Sequence, residues 1–229
     1  MENTQQTLYD AQLSHLKLMI EQAKEEKNFQ NIKLKVLSEM TRLRQICCDP
    51  RLYIDNYKGE SAKREACLDL VIRAIESGHR LLIFSQFTTM LDLLKVDLDK
   101  EKIAYFEITG NTKKEERIEL VNKFNDGENN VFLISLKAGG TGLNLTGADV
   151  VIHYDPWWNL AAQNQATDRA HRIGQKKTVT VYKLITKGTI EEKIVDLQKS
   201  KSDLANEILS GETNIISKMT EEDFMELLG

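Results

Sequence analysis

Two prolines and three cysteines stand in 229 residues. With proline confined to Pro50 and Pro156, most of the chain is free to form long helices. Cys47 and Cys48 are neighbours and poor disulfide partners, and no Cys-x-x-Cys spacing occurs. The thiols therefore fit a reducing compartment, and an intracellular protein is expected. No apolar run approaches the roughly 18 residues of a membrane span, and the polar start MENTQQTLYD carries no secretory signal, so no membrane partner is expected. Without that signal, the sequon Asn144-Leu145-Thr146 reads as chance. The histidines (His15, His79, His153, His171) are scattered, so no metal site is expected. The chain has no Gly-x-Ser-x-Gly elbow and no cysteine in its glycine-rich region, which disfavours a small-molecule enzyme with a nucleophile–base pair. A net charge of -4 excludes a uniformly basic coat for nucleic acid but allows a local patch.

What is present is ordinary for a globular chain: 41% hydrophobic and 29% charged residues. The length suggests about one to two domains. Residues 5–44 carry two helical periodicities, Leu8, Leu13, Leu16, Met19 and Ile20, then Ile32, Leu34, Leu37, Met40 and Leu43, with a break near Asn28–Asn31. They predict a helical hairpin whose interspersed Lys and Glu form either a solvated face or a ridge that meets phosphates. A loop follows over 47–60. Ser61 is placed to cap a helix running to Gly78.

From there strand and helix alternate. Arg80–Phe84 reads as a buried strand, Thr88–Lys100 as a helix and Ile103–Ile108 as a strand. Thr112 and Glu115 form a capping box for a helix to Phe124, and Val131–Ser135 and Val150–Tyr154 are further strands. This alternation predicts an α/β fold with a parallel sheet covered by helices on both faces. Ligands of such sheets sit beyond the carboxyl ends of the strands. That rule points at Ser85–Phe87, Thr109–Gly110, Lys137–Asn144 and the residues after Tyr154. Thr178–Ile185 reads as a last strand. Gly188-Thr189 caps a long helix to about Leu209, and a short acidic helix is expected around Glu221–Leu228.

The segment 136–144 (LKAGGTGLN) has three glycines in four positions, suited to close approach of backbone to an anion, with a lysine and a threonine to assist; a tight strand-to-helix turn with no ligand is the alternative. Standard nucleotide motifs fail nearby. Leu145 stands where a dinucleotide fingerprint needs its third glycine. Ala148-Asp149 follows Gly147 where a phosphate loop needs Lys-Ser/Thr. Downstream, a helix over Leu160–Ile173 would put Gln165, Asp168, Arg169 and Arg172 on one face. Two arginines aimed together suit a polyphosphate; a surface ion-pair network is the alternative. His171, alone between them, reads as structural.

ITG at 108–110, SLKAGGTGLNL at 135–145 and QATDRAHRIGQ at 165–175 resemble the C-terminal motor lobe of the Swi/Snf-type ATPases, the chromatin-remodelling and recombination translocases of helicase superfamily two. LLIFSQF at 81–87 is similar to that family's motif IV, residues 132–145 to motif V and 165–175 to motif VI. LRQICCDPRL at 43–52 and VYKLITKGTIEEKI at 181–194 also resemble family segments. Leu160 departs from the proline that commonly follows Trp-Asn. The resemblance covers nearly the whole chain.

It implies a RecA-like parallel sheet with an N-terminal helical protrusion and a C-terminal brace helix. The division would be 1–59 protrusion and linker, 60–187 lobe, 188–229 brace helix and acidic tail. In that family two RecA-like lobes clamp ATP with Mg2+ and grip duplex DNA. The first lobe, which carries the phosphate loop and acidic metal box, is the expected partner, and this chain alone is expected not to hydrolyse ATP. By the same resemblance Arg172 is the arginine finger for the γ-phosphate and Arg169 assists it. Gln165 faces the nucleotide, and Gly142 and Asn144 lie near it. Lys137, Gly140, Thr141, Gln86, Thr109 and Gly110 meet the DNA backbone. Trp158 lies near the DNA strand or in the core. The competing reading is a catalytically inactive nucleic-acid-binding or interaction module, against which both arginines argue.

Overall fold

The computed structural model describes residues 1–139, 142–172, 174–205 and 220–229. They form two compact units, Lys63–Ile185 on its own and Met1–Ala62 together with Thr186–Gly229.

In the Lys63–Ile185 unit, five short strands make an entirely parallel sheet: β1 (Leu81–Ser85), β2 (Tyr105–Ile108), β3 (Val131–Ser135), β4 (Val150–His153) and β5 (Thr180–Lys183). Their order is β2-β3-β1-β4-β5. Leu81 lies opposite Val131 on one side and Val150 on the other. Every residue of β1, β3 and β4 is buried. This is why these strands read as continuous apolar runs rather than alternating ones. Leu82, Phe84, Phe132, Ile134 and Val151 share one cluster with Val121 and Phe124 from helix α5 (Lys114–Asn125). The alternate residues Leu81, Ile83, Val131 and Leu133 point to the opposite face and are equally enclosed, so both faces are covered. On α4 (Thr88–Lys100), Met90, Leu91, Leu94 and Leu98 are buried, at the residues the periodicity selects. Arg64 of α3 (Ala62–Glu76) makes a two-pronged ion pair with Asp97 of α4.

Two local expectations give way to backbone chemistry. β2 begins at Tyr105 rather than Ile103 because Lys102 adopts φ 58° and the Ile103 N–H donates back to Leu98 O at 2.9 Å, completing the end of α4. The capping box at Thr112 does not form. The Thr112 hydroxyl accepts from the Thr109 N–H at 3.0 Å, and α5 starts after Lys113, which makes no side-chain cap.

Gly147, which has phosphate-loop spacing from Gly142, is explained by crowding. A Cβ there would sit 2.8 Å from Arg80 Nη1 and 3.0 Å from the Asn125 backbone. The Arg80 guanidinium lies 4.3 Å from the centre of the Phe124 ring and donates to Gly147 O and Asn129 O, tying the lower ends of the strands together. Beside it, burial would raise the Asp149 carboxyl, yet donation from the Arg80 N–H, His79 and Lys177 holds its pKa down to about 2.

The other unit is built on a hairpin of α1 (Asn3–Glu25) and α2 (Phe29–Cys48). The turn falls at Glu26–Asn28, slightly before the expected break, with Lys27 at φ 52°. Leu16, Ile20, Val36 and Leu43 are fully buried, and Gln5 Nε2 reaches Ile46 O at 2.7 Å. The later helix α8 (Ile190–Ala205) is fastened to this hairpin at its start. The Tyr9 hydroxyl accepts from the Ile190 N–H at 2.7 Å, and the Thr186 hydroxyl donates to Cys47 O. The rest of the stretch expected to reach Leu209 lies outside the described residues. The acidic helix α9 (Glu221–Leu228) has the capping box of Thr220 and Asp223. Its acidic residues are outward while Phe224 is fully buried, 5.7 Å from the Phe29 ring.

Candidate functional site

Because all five strands run the same way, their carboxyl ends share one edge of the sheet, and the four sequence-selected segments emerge there. After β1, the chain leaves toward β2; after β4, it leaves toward β5. The exits of β1 and β4, adjacent strands, are held together by one buried carboxylate. Asp155 Oδ1 accepts from Ser85 Oγ at 2.6 Å and from the Gln86 N–H at 3.2 Å, while the Phe87 N–H donates to Ser85 Oγ. Gln86 is half-buried, with its Nε2 enclosed and lacking a hydrogen-bond partner.

Beyond β2, Thr109 is half-buried and Gly110 exposed. Their turn is shaped by Arg117, whose guanidinium donates to Thr112 O at 2.8 Å and Thr109 O at 3.0 Å. Sequence reasoning gave Arg117 no role; its signal was a lone arginine in the first turns of a helix that follows a Thr-Gly turn.

Beyond β3, residues Leu136–Gly139 make a single helical turn, α6. Lys137 is exposed. Gly140 and Thr141 lie outside the described residues. Gly142 adopts φ 58° with open space where a Cβ would project, and Asn144 is exposed. Between this loop and α5 lies a cavity of about 570 Å³. Ile118, Val121 and Leu143 give it an apolar side, and Lys114, Asn122 and Asn144 a polar one.

The arginine segment departs from the expected continuous helix. Helix α7 covers only Leu160–Thr167, opened by the Asn159 side chain, which accepts from the Ala162 N–H. Beyond it the chain tightens: the Arg169 N–H donates to Ala166 O and the Ala170 N–H to Thr167 O. The cause is tertiary. Arg169 O accepts from the Leu145 N–H at 2.9 Å, so the turn is docked on the end of the glycine loop. Gln175 reinforces the docking, with Nε2 at 2.6 Å from Ala148 O, 3.1 Å from Thr146 O and 3.3 Å from Ala170 O. No specific role for Gln175 was read from the sequence.

In consequence the two arginines differ. Arg169 is buried, 3% exposed, and its burial, followed by the neighbouring Arg172 charge, lowers its pKa. Arg172 is exposed and its Nη1 donates to Gly142 O at 3.4 Å. Gln165 is exposed on α7. The expected shared face of Gln165, Asp168, Arg169 and Arg172 is therefore replaced by one inward and one outward guanidinium. Trp158 is half-buried, and it is Trp157 that packs against the core cluster. Among the described residues no three His, Cys, Asp or Glu side chains converge as a metal site. No helix among them is long and apolar enough to cross a membrane.

At the buried end of α7, His153 of β4 is 1% exposed, lies nearly parallel to Phe84 with ring centres 5.5 Å apart, and has Nε2 at 2.8 Å from Thr167 Oγ1. Burial, with a smaller contribution from Lys183, brings its pKa down to about 4.

Comparison with known proteins agrees with this fold. Residues 62–174 match the family of the helicase conserved C-terminal domain. An uncharacterized ATP-dependent helicase of Mycoplasma pneumoniae is 43% identical over 196 residues, covering 84% of this chain and 19% of that protein. The chain spans about a fifth of the length of the first curated relatives it matches. The solved C-terminal domain of the Sulfolobus solfataricus SWI2/SNF2 ATPase superposes with a TM-score of 0.77 at 30% identity, covering 98% of this chain and 92% of that one. The core of that ATPase in complex with double-stranded DNA gives a TM-score of 0.79 at 32% identity, over 97% of this chain and 47% of the other.

Proposed function

Because the chain belongs to the C-terminal domains of the SWI2/SNF2 ATPases, we propose that it is the second lobe of an ATP-driven motor that moves along duplex DNA. The observation that carries this reading is the docking of the arginine turn on the glycine loop. It leaves Arg172 exposed beside Gly142, whose backbone is open to a ligand. A guanidinium is permanently charged and can meet a phosphate through two N–H groups, so Arg172 would stabilise charge developing on the γ-phosphoryl group. Arg169, from its buried position, would hold that turn and assist. Gln165 and Asn144 would complete the nucleotide-facing surface.

ATP would supply the phosphoryl group to be transferred. Mg2+ would be held by the phosphates and by an opposing first lobe. Such a lobe is the proposed partner, and hydrolysis would require it. Lys137, Gln86, Thr109, Gly110 and Trp158 would line the DNA strand, joined by Gly140 and Thr141. Contacts of that kind go to phosphates, so binding would be indifferent to sequence and weaken steeply with salt. Residues 60–187 would form the motor lobe proper, 1–59 the protrusion and 188–229 the brace and acidic tail, all acting inside the cell.

The test is ATP turnover. This chain alone should show none, with or without duplex DNA, and should bind duplex weakly and salt-sensitively. In the protein carrying both lobes, Arg172→Ala should lower DNA-stimulated turnover by about 10³-fold or more while ATP still binds. Turnover by this chain alone would remove the half-motor account. Unchanged turnover in the variant would remove the role of Arg172, and duplex-stimulated binding with no effect of either arginine would favour an inactive binding module.

A further inference from the structure

We infer that His153 is a positioning residue: through Thr167 it fixes the arginine turn to the same strand end that, through Asp155, fixes the Gln86 loop. The inference concerns how the proposed site is held and rests on that reading for its link to turnover.

The hydrogen-bond pattern sets the chemistry. Thr167 Oγ1 lies 2.8 Å from His153 Nε2 and 3.4 Å from Gln163 O, so its close hydrogen bond is the one to the imidazole. Whichever of Nε2 and Oγ1 donates in that bond, Nδ1 is left unmatched. Nδ1 is enclosed and has no hydrogen-bond partner. A phenylalanine would fill this place beside Phe84 without leaving a buried nitrogen unmatched. The arrangement has a use only if the single bond from Nε2 matters. That bond lands on Thr167, the last residue of α7. The residues immediately after it are the tight turn whose carbonyl at Arg169 accepts from Leu145.

Two residues along the chain, Asp155 carries the second connection. It is 1% exposed, and its carboxylate orders the Ser85 hydroxyl and the Gln86 N–H. The backbone between them is itself anchored: the Tyr154 N–H donates to Phe84 O at 2.9 Å, and Tyr154 O accepts from Lys63 Nζ at 3.3 Å. One short, hydrogen-bonded segment therefore fastens both the nucleotide-side turn and the DNA-side loop, so a displacement of either would be passed to the other. Coupling of this sort needs a contiguous set of packed, hydrogen-bonded groups, and His153–Asp155 supplies one.

The test uses two readouts. In this chain, amide hydrogen exchange is followed for His153→Phe, His153→Gln and Thr167→Val. Loss of one buried hydrogen bond should speed exchange roughly tenfold at Leu145, Asp168, Arg169 and Ala170, with the amides of β1 and β3 unchanged. His153→Gln, which can place an N–H near the position of Nε2, should restore protection. In the two-lobed protein, His153→Phe should lower DNA-stimulated kcat by roughly tenfold with KM for ATP unchanged, and His153→Gln should recover it. Exchange equal to the unaltered chain in His153→Phe, or acceleration spread evenly through the sheet, would overturn the inference; the second result would make His153 a packing residue only. The exchange result stands whether or not Arg172 touches phosphate. If Arg172→Ala proves silent while the turn still loosens in His153→Phe, the functional reading has failed and the positioning has not.

Discussion

Acid should destabilise the Lys63–Ile185 unit through His153 in a calculable way. The imidazole pKa falls from 6.5 to about 4 on folding, because burial excludes the charged form and Lys183 adds repulsion. Between these two values the unfolded chain binds a proton that the folded chain refuses, so stability is full above about pH 6.5 and is lost as pH falls toward 4. A gap of about 2.5 pH units is worth about 3.4 kcal/mol at most, and about 2.5 kcal/mol of it is lost by pH 4.5. Other groups titrate over the same range, so the quantity to measure is a difference. Urea unfolding is followed at pH 7.5 and 4.5 for the unaltered chain and for His153→Gln. Tryptophan fluorescence is the probe, since Trp157 and Trp158 both lie in this unit. The unaltered chain should lose about 2.5 kcal/mol more than the variant between the two pH values. Equal losses would mean that the imidazole is solvated or partnered at Nδ1, and the account of its burial would be refuted.

Other perturbations test the packing. Arg64→Ala leaves Asp97 as an unpaired charge among buried groups and should cost about 3–5 kcal/mol by denaturant unfolding, whereas replacing both residues with apolar ones of similar volume should cost much less. Gly147→Ala forces a methyl group against Arg80 and the Asn125 backbone and should destabilise by about 1–3 kcal/mol, read as a lower Tm; an unchanged Tm would show that the loop yields freely.

The sheet was legible because parallel strands are enclosed on both faces, and short β-rich apolar runs such as LLIF and VFLI, bounded by polar turns, suit such strands. The arginine segment was legible in composition but not in shape. Its three- and four-residue spacing continues past Thr167 as if the helix did. Yet the Arg169 carbonyl is taken by Leu145, a residue 24 positions earlier, and periodicity carries no trace of such a partner. Arg117 and Gln175 escaped for the same reason, since both act on carbonyls, and a carbonyl is present at every residue whatever its identity. In the sequence His153 is one scattered histidine, because its place depends on Thr167, 14 residues away on another element.

Helices α8 and α9 belong with α1 and α2, and the whole Lys63–Ile185 unit is an insertion between them. A ribosome would therefore deliver these units out of order. The inserted sheet is complete once Ile185 has emerged and can fold while the hairpin, made first, still lacks Phe224 against Phe29 and Ile190 beneath Tyr9. Until then the apolar stripe of α1 and α2 is open to chaperones or to the hairpin of a second nascent chain. For this stretch of sequence, the earliest residues made are the last to be finished.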